Sequence, residues 1–128
     1  MLQIGTIFKV IDNTGAKTAI CLQTKPGYRR KYAFLGDTVI VSIRSLRARR
    51  RVSTKVKKGE IYKAIVLRMR FPKSSFSGDS FYTIDNASVF LLNKQGKIFG
   101  TRIFGSVSRF FRVSKYFKVL SLSSGSVV

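Results

Sequence analysis

The sequence predicts a small, mostly β domain, a barrel or a sandwich, and three observations carry that prediction. Apolar and polar residues alternate over short runs, turn-forming residues recur between the runs, and a helical period occurs only near the carboxyl end. At 128 residues, 45% of them apolar, the chain has the size of one ordinary domain and enough apolar side chains to fill one core. A single domain over residues 1–128 is expected.

Taken in order, the first turn signal is Asp12-Asn13-Thr14-Gly15, followed by the apolar stretch Ala19-Ile20-Cys21-Leu22 and the turn pair Pro26-Gly27. Gly36-Asp37 then opens Thr38 to Arg44, where Val39, Val41 and Ile43 fall on one face of a strand. Beyond Gly59-Glu60, Leu67 and Met69 alternate with Arg68 and Arg70, so one side is apolar and the other meets water or a ligand. Ser77-Gly78-Asp79, Asp85-Asn86 and Asn93-Lys94-Gln95-Gly96 mark further turns. After Gly105, Val107, Phe110 and Phe111 stand at i, i+3 and i+4, and Val113, Tyr116 and Phe117 repeat the pattern. One bent helix or two short ones at about 106–120 fit this spacing. The small, polar tail from Ser121 is expected to fray, and no internal repeat is present.

Several chemistries lack their parts. The chain has no His and one Cys, which excludes an intramolecular disulfide and a structural zinc cluster, and Cys21 reads as a buried, inert thiol. Asp12, Asp37, Glu60, Asp79 and Asp85 each stand beside Gly or Asn in a turn signal, where a carboxylate ordinarily accepts from nearby backbone N–H groups. No nucleophile has an evident activating base and no phosphate-binding Gly-rich loop occurs, so neither catalysis nor a cofactor is expected. Asn86-Ala87-Ser88 matches a glycosylation acceptor, but without a secretory signal it reads as accidental. No apolar run reaches membrane-spanning length, and the amino end carries neither a signal h-region nor a transit peptide. The chain is therefore expected to stay where it is made, or to be a mature form.

Charge points to the partner. Twenty-five Lys and Arg against five Asp and Glu give a formal charge of +20, and a fold that repels itself so strongly suits a surface that lies against a polyanion. Arg44, Arg47, Arg49, Arg50, Arg51, Lys55, Lys57 and Lys58 put eight cations in fifteen residues with no acid among them. This reads as an extended loop able to follow phosphates, with Arg gripping them in bidentate fashion. Tyr28-Arg29-Arg30-Lys31-Tyr32 interleaves cations with aromatics, a form suited to phosphate contact with base stacking. Arg109, Arg112, Lys115 and Lys118 recur every three residues, and no acid occurs after Asp85.

Gly100-Thr101-Arg102-Ile103-Phe104-Gly105 resembles the signature of the universal large-subunit ribosomal protein L-fourteen family. Other landmarks of that family stand in the same order: Asp12-Asn13-Thr14-Gly15-Ala16, then Arg30-Lys31-Tyr32-Ala33 leading to Gly36-Asp37. Lys55-Val56-Lys57-Lys58-Gly59-Glu60, running into Lys63 to Arg68, and Asn86 to Asn93 complete the set. The resemblance implies a five-stranded β-barrel with a projecting basic hairpin and short carboxyl-terminal helices. It implies a structural, non-enzymatic constituent of the large subunit that binds large-subunit rRNA, packs beside other large-subunit proteins, and helps form an intersubunit bridge to small-subunit rRNA. By position, Arg29, Arg30 and Lys31 lie on the projecting hairpin, and Lys55, Lys57 and Lys58 lead into the following strand. Thr101, Arg102 and Lys118 match positions at which family members dock a ribosome silencing factor. Departures include a basic loop lengthened within Leu46 to Thr54, an altered stretch from Phe71 to Phe81, Ser106 in place of a common Pro, and Phe110 in place of a common Glu.

The candidate RNA-binding residues are thus Arg29, Arg30, Lys31, Arg44, Arg47, Arg49, Arg50, Arg51, Lys55, Lys57, Lys58, Arg68, Arg70, Arg109, Arg112 and Lys115, with no metal ligand. A free single-stranded nucleic-acid module would instead need a row of exposed aromatics on one barrel face. A cationic protein of the membrane surface would need one amphipathic basic helix. Abundant Phe, Ser, Lys and Ile, with no Trp, suggest an AT-rich coding genome, hence an organellar ribosome, a mitochondrion before a plastid, with a bacterial source as the alternative.

Overall fold

The computed structural model describes residues 2–25, 30–48, 55–70, 73–74, 81–82, 87–125 and 127. Its strands are β1 (Ile7–Val10), β2 (Ala16–Thr24), β3 (Thr38–Leu46), β4 (Ile61–Arg68), β5 (Lys73–Ser74), β6 (Phe81–Tyr82) and β7 (Ser88–Leu92). Five of them close into a barrel in the order β1-β2-β3-β4-β7, while β5 and β6 pair as a separate ribbon between β4 and β7. Neighbours run antiparallel except at the closure, where Lys9 and Val10 of β1 lie parallel to Ser88 and Val89 of β7. Alternating directions around an odd number of strands leave the first and last pointing the same way, so the closing pair has to be parallel. The five-stranded barrel expected from the family resemblance is the one observed.

Cross-strand pairs identify the interior. Phe8 faces Ala19, Cys21 faces Val41, Val39 faces Ala64, Ala64 faces Leu91, and Val10 faces Val89, all of them buried. Strand β3 keeps the alternation read from its sequence, with Val39, Val41 and Ile43 inward. Strand β2 does not, because register shifts on both sides of Thr18 and after Cys21 let Ala16, Ala19 and Cys21 all turn inward despite their uneven spacing. These shifts strengthen the local twist that closing so small a barrel demands.

Ala64 to Leu67 and Ser88 to Leu92 are buried without interruption. The outward side chains Ile65, Phe90 and Leu92 are therefore as apolar as the inward ones, and that outer face has to be covered. Residues 98–123 cover it. The Phe99 N–H donates to the Leu91 carbonyl, Tyr116 meets Phe90 edge to face at 6.2 Å between centroids, and Phe111 and Val119 are buried. Burying a side chain such as Phe90 contributes about 2 kcal/mol. Phe110 packs against the turn that enters β3: Gly36 has φ +86, and a Cβ built there would lie 2.6 Å from the Phe110 ring. Glycine is thus required at that turn twice over, by its backbone and by its neighbour.

The helical period after Gly105 resolves into two short pieces, a 3-10 turn at Arg109–Arg112 and the helix α1 at Lys118–Leu122. The residues between them break the pattern: Val113 is 75% exposed and Phe117 60% exposed. Serines account for the interruption. Ser114 Oγ donates to the Phe111 carbonyl and accepts from the Tyr116 N–H, offering the backbone a local alternative to a continuous helix. Ser108 caps the 3-10 turn by accepting from the Phe110 N–H.

Cys21 lies inside the barrel, and burial pushes its thiol above the ordinary value. The native protein is expected to release almost none of its single equivalent of thiol to a water-soluble disulfide reagent, and the full equivalent in denaturant. Rapid reaction of native protein would place Cys21 outside the core.

Candidate polyanion-binding surface

The sequence-predicted cations spread over several parts of the barrel surface. Arg30 and Lys31 are exposed at the start of the segment that leads to β3, and the Arg30 guanidinium sits 5.2 Å above the Phe34 ring. Arg44 is exposed on β3, and Lys55, Lys57 and Lys58 are exposed where the chain returns towards β4. Arg70 follows β4, and Arg109, Arg112 and Lys115 are exposed along the carboxyl-terminal segment. Arg29, Arg49, Arg50 and Arg51 lie outside the described residues.

Arg47 and Arg68 are placed differently. Arg47 donates to the Val10 carbonyl at 3.0 Å, and its own N–H donates to the Gly15 carbonyl, which fixes it beside the β1–β2 hairpin. Arg68 is half-buried at the end of β4, donating to the Ser106 carbonyl at 2.8 Å and to the Phe104 carbonyl. Burial lowers its pKa from the ordinary guanidinium value without removing its charge. Both Arg47 and Arg102 lie over the Phe104 ring, at 5.2 and 5.4 Å from its centroid. Three cations that the sequence separates, Arg47, Arg68 and Arg102, are thus gathered around one aromatic residue.

The described acids are turn acceptors, as their sequence neighbours predict. Asp37 accepts from the Phe34 N–H at 2.8 Å, and Asp12 accepts from the Thr14 N–H and hydroxyl. Glu60 accepts from the Lys57 N–H and from the Tyr62 hydroxyl at 2.5 Å. Asp79 and Asp85 lie outside the described residues. Burial first, and then the bond to Glu60, push Tyr62 up to about 12, while its bond holds Glu60 below the ordinary carboxylate value. Because the folded value of Tyr62 exceeds the unfolded one, its contribution to stability is complete below pH 10 and lost as pH climbs through about 12. A spectrophotometric titration should show Tyr62 ionising near pH 12, identified by its loss in Tyr62→Phe, and Glu60→Gln should bring it part of the way down. Absence of any ionisation step near pH 12 would contradict this contact.

Thr101 is held by a reciprocal clasp, its N–H donating to Asn13 Oδ1 at 2.9 Å and its hydroxyl accepting from Asn13 Nδ2 at 2.7 Å. It lines a groove of about 590 Å³ with Ile98, Tyr116, Phe117 and Lys118. The three positions matched to the silencing-factor site therefore divide: Thr101 and Lys118 share this groove, whereas Arg102 turns to Phe104. Sequence reasoning missed Lys9 and Lys17. Lys9 stands between the inward residues Phe8 and Val10, and that alternation was the available signal, whereas Lys17 lies where register shifts break the period of β2.

Among the described residues, no group of three His, Cys, Asp or Glu could hold a metal ion, and no helix is long and apolar enough to cross a membrane. A closed barrel whose described carboxylates are taken up by its own turns, and whose outside carries cations on nearly every strand and connection, has the makings of a structural protein that works against a polyanion. Ribosomal proteins form one such class. The family model described as Ribosomal protein L14p/L23e matches residues 1–127, and the chain belongs to that family. It is a structural protein of the large ribosomal subunit, located in the ribosome in association with rRNA and ribosomal proteins.

Proposed function

We propose that the protein holds large-subunit rRNA at the intersubunit face by clamping phosphates and contributes to a bridge with small-subunit rRNA. The observation that carries this reading is the number of exposed cations, Arg30, Lys31, Arg44, Lys55, Lys57, Lys58, Arg70, Arg109, Arg112 and Lys115, distributed around one rigid barrel. Such a distribution matches a folded RNA surface by shape and needs little reading of base sequence. Arg29, Arg49, Arg50 and Arg51 extend the same set by sequence, and Arg47 and Arg68 add charge from braced positions. The groove with Thr101 and Lys118, flanked by exposed Phe117, supports docking of a silencing factor that opposes subunit joining. The compositional bias supports an organellar ribosome, mitochondrial first.

Quantitative mass spectrometry of the chain across a sucrose gradient of native lysate tests the assignment. It should peak with the large subunit and intact ribosomes at about one copy per particle and disperse after ribonuclease treatment. A light, substoichiometric distribution insensitive to ribonuclease would overturn it.

A further inference from the structure

At one end of the barrel, Lys9, Lys17, Arg47 and Arg68 line a recess of about 660 Å³ together with Val10, Ile11, Phe104 and Gly105. We infer that this recess is a built phosphate-binding site, one that seats a single phosphodiester of bound RNA between the barrel's own strands and the braced Arg47 and Arg68, apart from the carboxyl-terminal cations. The inference rests on the reading that the protein binds RNA, and adds a site with two ligands, Lys9 and Lys17, that the clamp does not include.

Several features set the recess apart from a merely charged surface. Its two arginines are oriented before any ligand arrives: Arg47 by the Val10 carbonyl at 3.0 Å, Arg68 by the carbonyls of Ser106 and Phe104. Each guanidinium carries five donors, and these internal bonds use one or two of them, so the remainder can serve a ligand. The wall is rigid, since the Phe104 N–H donates to the Ile11 carbonyl and ties the signature segment to the end of β1. The two arginines therefore have little side-chain entropy left to lose on binding, which favours charge-assisted hydrogen bonds to phosphate.

Asp12, whose charge acts on Arg47, does not line the recess. It is 1% exposed, and both its oxygens accept hydrogen bonds from Thr14 and Leu91. Lys9 and Lys17 are exposed at the mouth on adjacent strands, Lys9 standing opposite Thr18. Two mobile ammonium groups in front of two braced guanidinium groups suit a tetrahedral dianion or a phosphodiester better than a base edge, because a lysine acts on phosphate as a point charge. Phe104 is covered by Arg47 and Arg102, which leaves its ring unsuited to stacking a base and makes it a support for the cations.

The test is a nitrogen–proton NMR titration of the full chain with inorganic pyrophosphate and, separately, with a short rRNA hairpin. The wild type is compared with the double variant Lys9→Gln, Lys17→Gln and with an equal-charge control, Lys94→Gln, Lys97→Gln. Both probes should shift the amides of Ile11, Lys17, Ala48 and Gly105 saturably, and the Lys9/Lys17 variant should weaken pyrophosphate binding at least tenfold while the control changes it less than twofold. Response to the hairpin with none to pyrophosphate at these amides still supports the site and identifies the RNA backbone as its source of phosphate. If the hairpin shifts only amides near Lys57, Lys58 and Arg109, the recess is refuted while RNA binding stands. If no probe shifts any amide, RNA binding itself fails. Equal loss in both double variants would reduce the recess to bulk charge and overturn the proposal.

Discussion

Asp12→Ala is expected to lower the stability of the protein by about 3 kcal/mol at neutral pH, read as a shift in the urea midpoint at constant slope. The size follows from what the carboxylate replaces. Strand β1 ends at Val10, yet β7 runs on to Leu92, so the ladder between them lacks a backbone partner for the Leu91 N–H. Asp12 Oδ2 accepts from the Leu91 N–H at 2.9 Å, and Oδ1 accepts from the Thr14 N–H at 3.2 Å, so the side chain continues the ladder and shapes the turn together. Removing it strands buried donors, each costing about 1–3 kcal/mol. Asp12→Asn should cost roughly half as much, because one oxygen remains to serve one of the two sides. Burial raises the Asp12 pKa despite these bonds, so the folded state holds the proton more tightly than the unfolded one. Its contribution to stability is then greatest below the unfolded value of 3.8 and declines as pH rises through the folded one, and the gap between wild type and Asp12→Ala should narrow over the same range. A penalty under about 0.5 kcal/mol would show that the ladder end does not depend on this side chain.

The same residue shows what the sequence makes legible. Asp12, Asp37 and Glu60 stand beside Gly or Asn, and that local signal was enough to read them as turn acceptors, because an Asx or Glu turn is decided within three residues. That Asp12 also reaches Leu91, 79 residues away, was not legible, since nothing local encodes a partner brought in by barrel closure. Strand β3 was readable for the same reason that its neighbour β2 was not. A single inner face obeys period two, whereas register shifts break the period at Thr18 and Cys21 to suit curvature that belongs to the whole sheet. The carboxyl-terminal period misled in a specific way: Val113 and Phe117 keep helical spacing yet face outward, because the segment is laid over the outer face of β4 and β7 and follows that surface. Among the candidate site residues, cations such as Lys57 and Arg109 are exposed, as long charged side chains in an acid-free run ordinarily are. The gathering of Arg47, Arg68 and Arg102 about Phe104 required the fold.

The affinity of the isolated protein for a large-subunit rRNA fragment should fall about a thousandfold between 50 and 200 mM salt, a log–log slope of roughly −5 or steeper. Each phosphate neutralised contributes about −0.7 to −0.9 to that slope, so the figure corresponds to about seven contacts. The exposed set of Arg30, Lys31, Arg44, Lys55, Lys57, Lys58, Arg70, Arg109, Arg112 and Lys115 can supply that many only if cations from several parts of the barrel bind at once. A measurement by fluorescence anisotropy therefore reports on geometry as well as charge. If one cluster alone engaged the RNA, the slope would lie near −2 to −3, and the clamp would be wrong even though binding persisted. Replacing Lys57 by Gln should flatten the slope by about one unit for every RNA tested, as expected of a contact that positions without specifying sequence. Ion pairing in water is weak for any one of these groups. Their joint effect is large because each bound phosphate releases counterions, and a barrel that holds its cations in fixed relation can collect that gain without first ordering its own backbone.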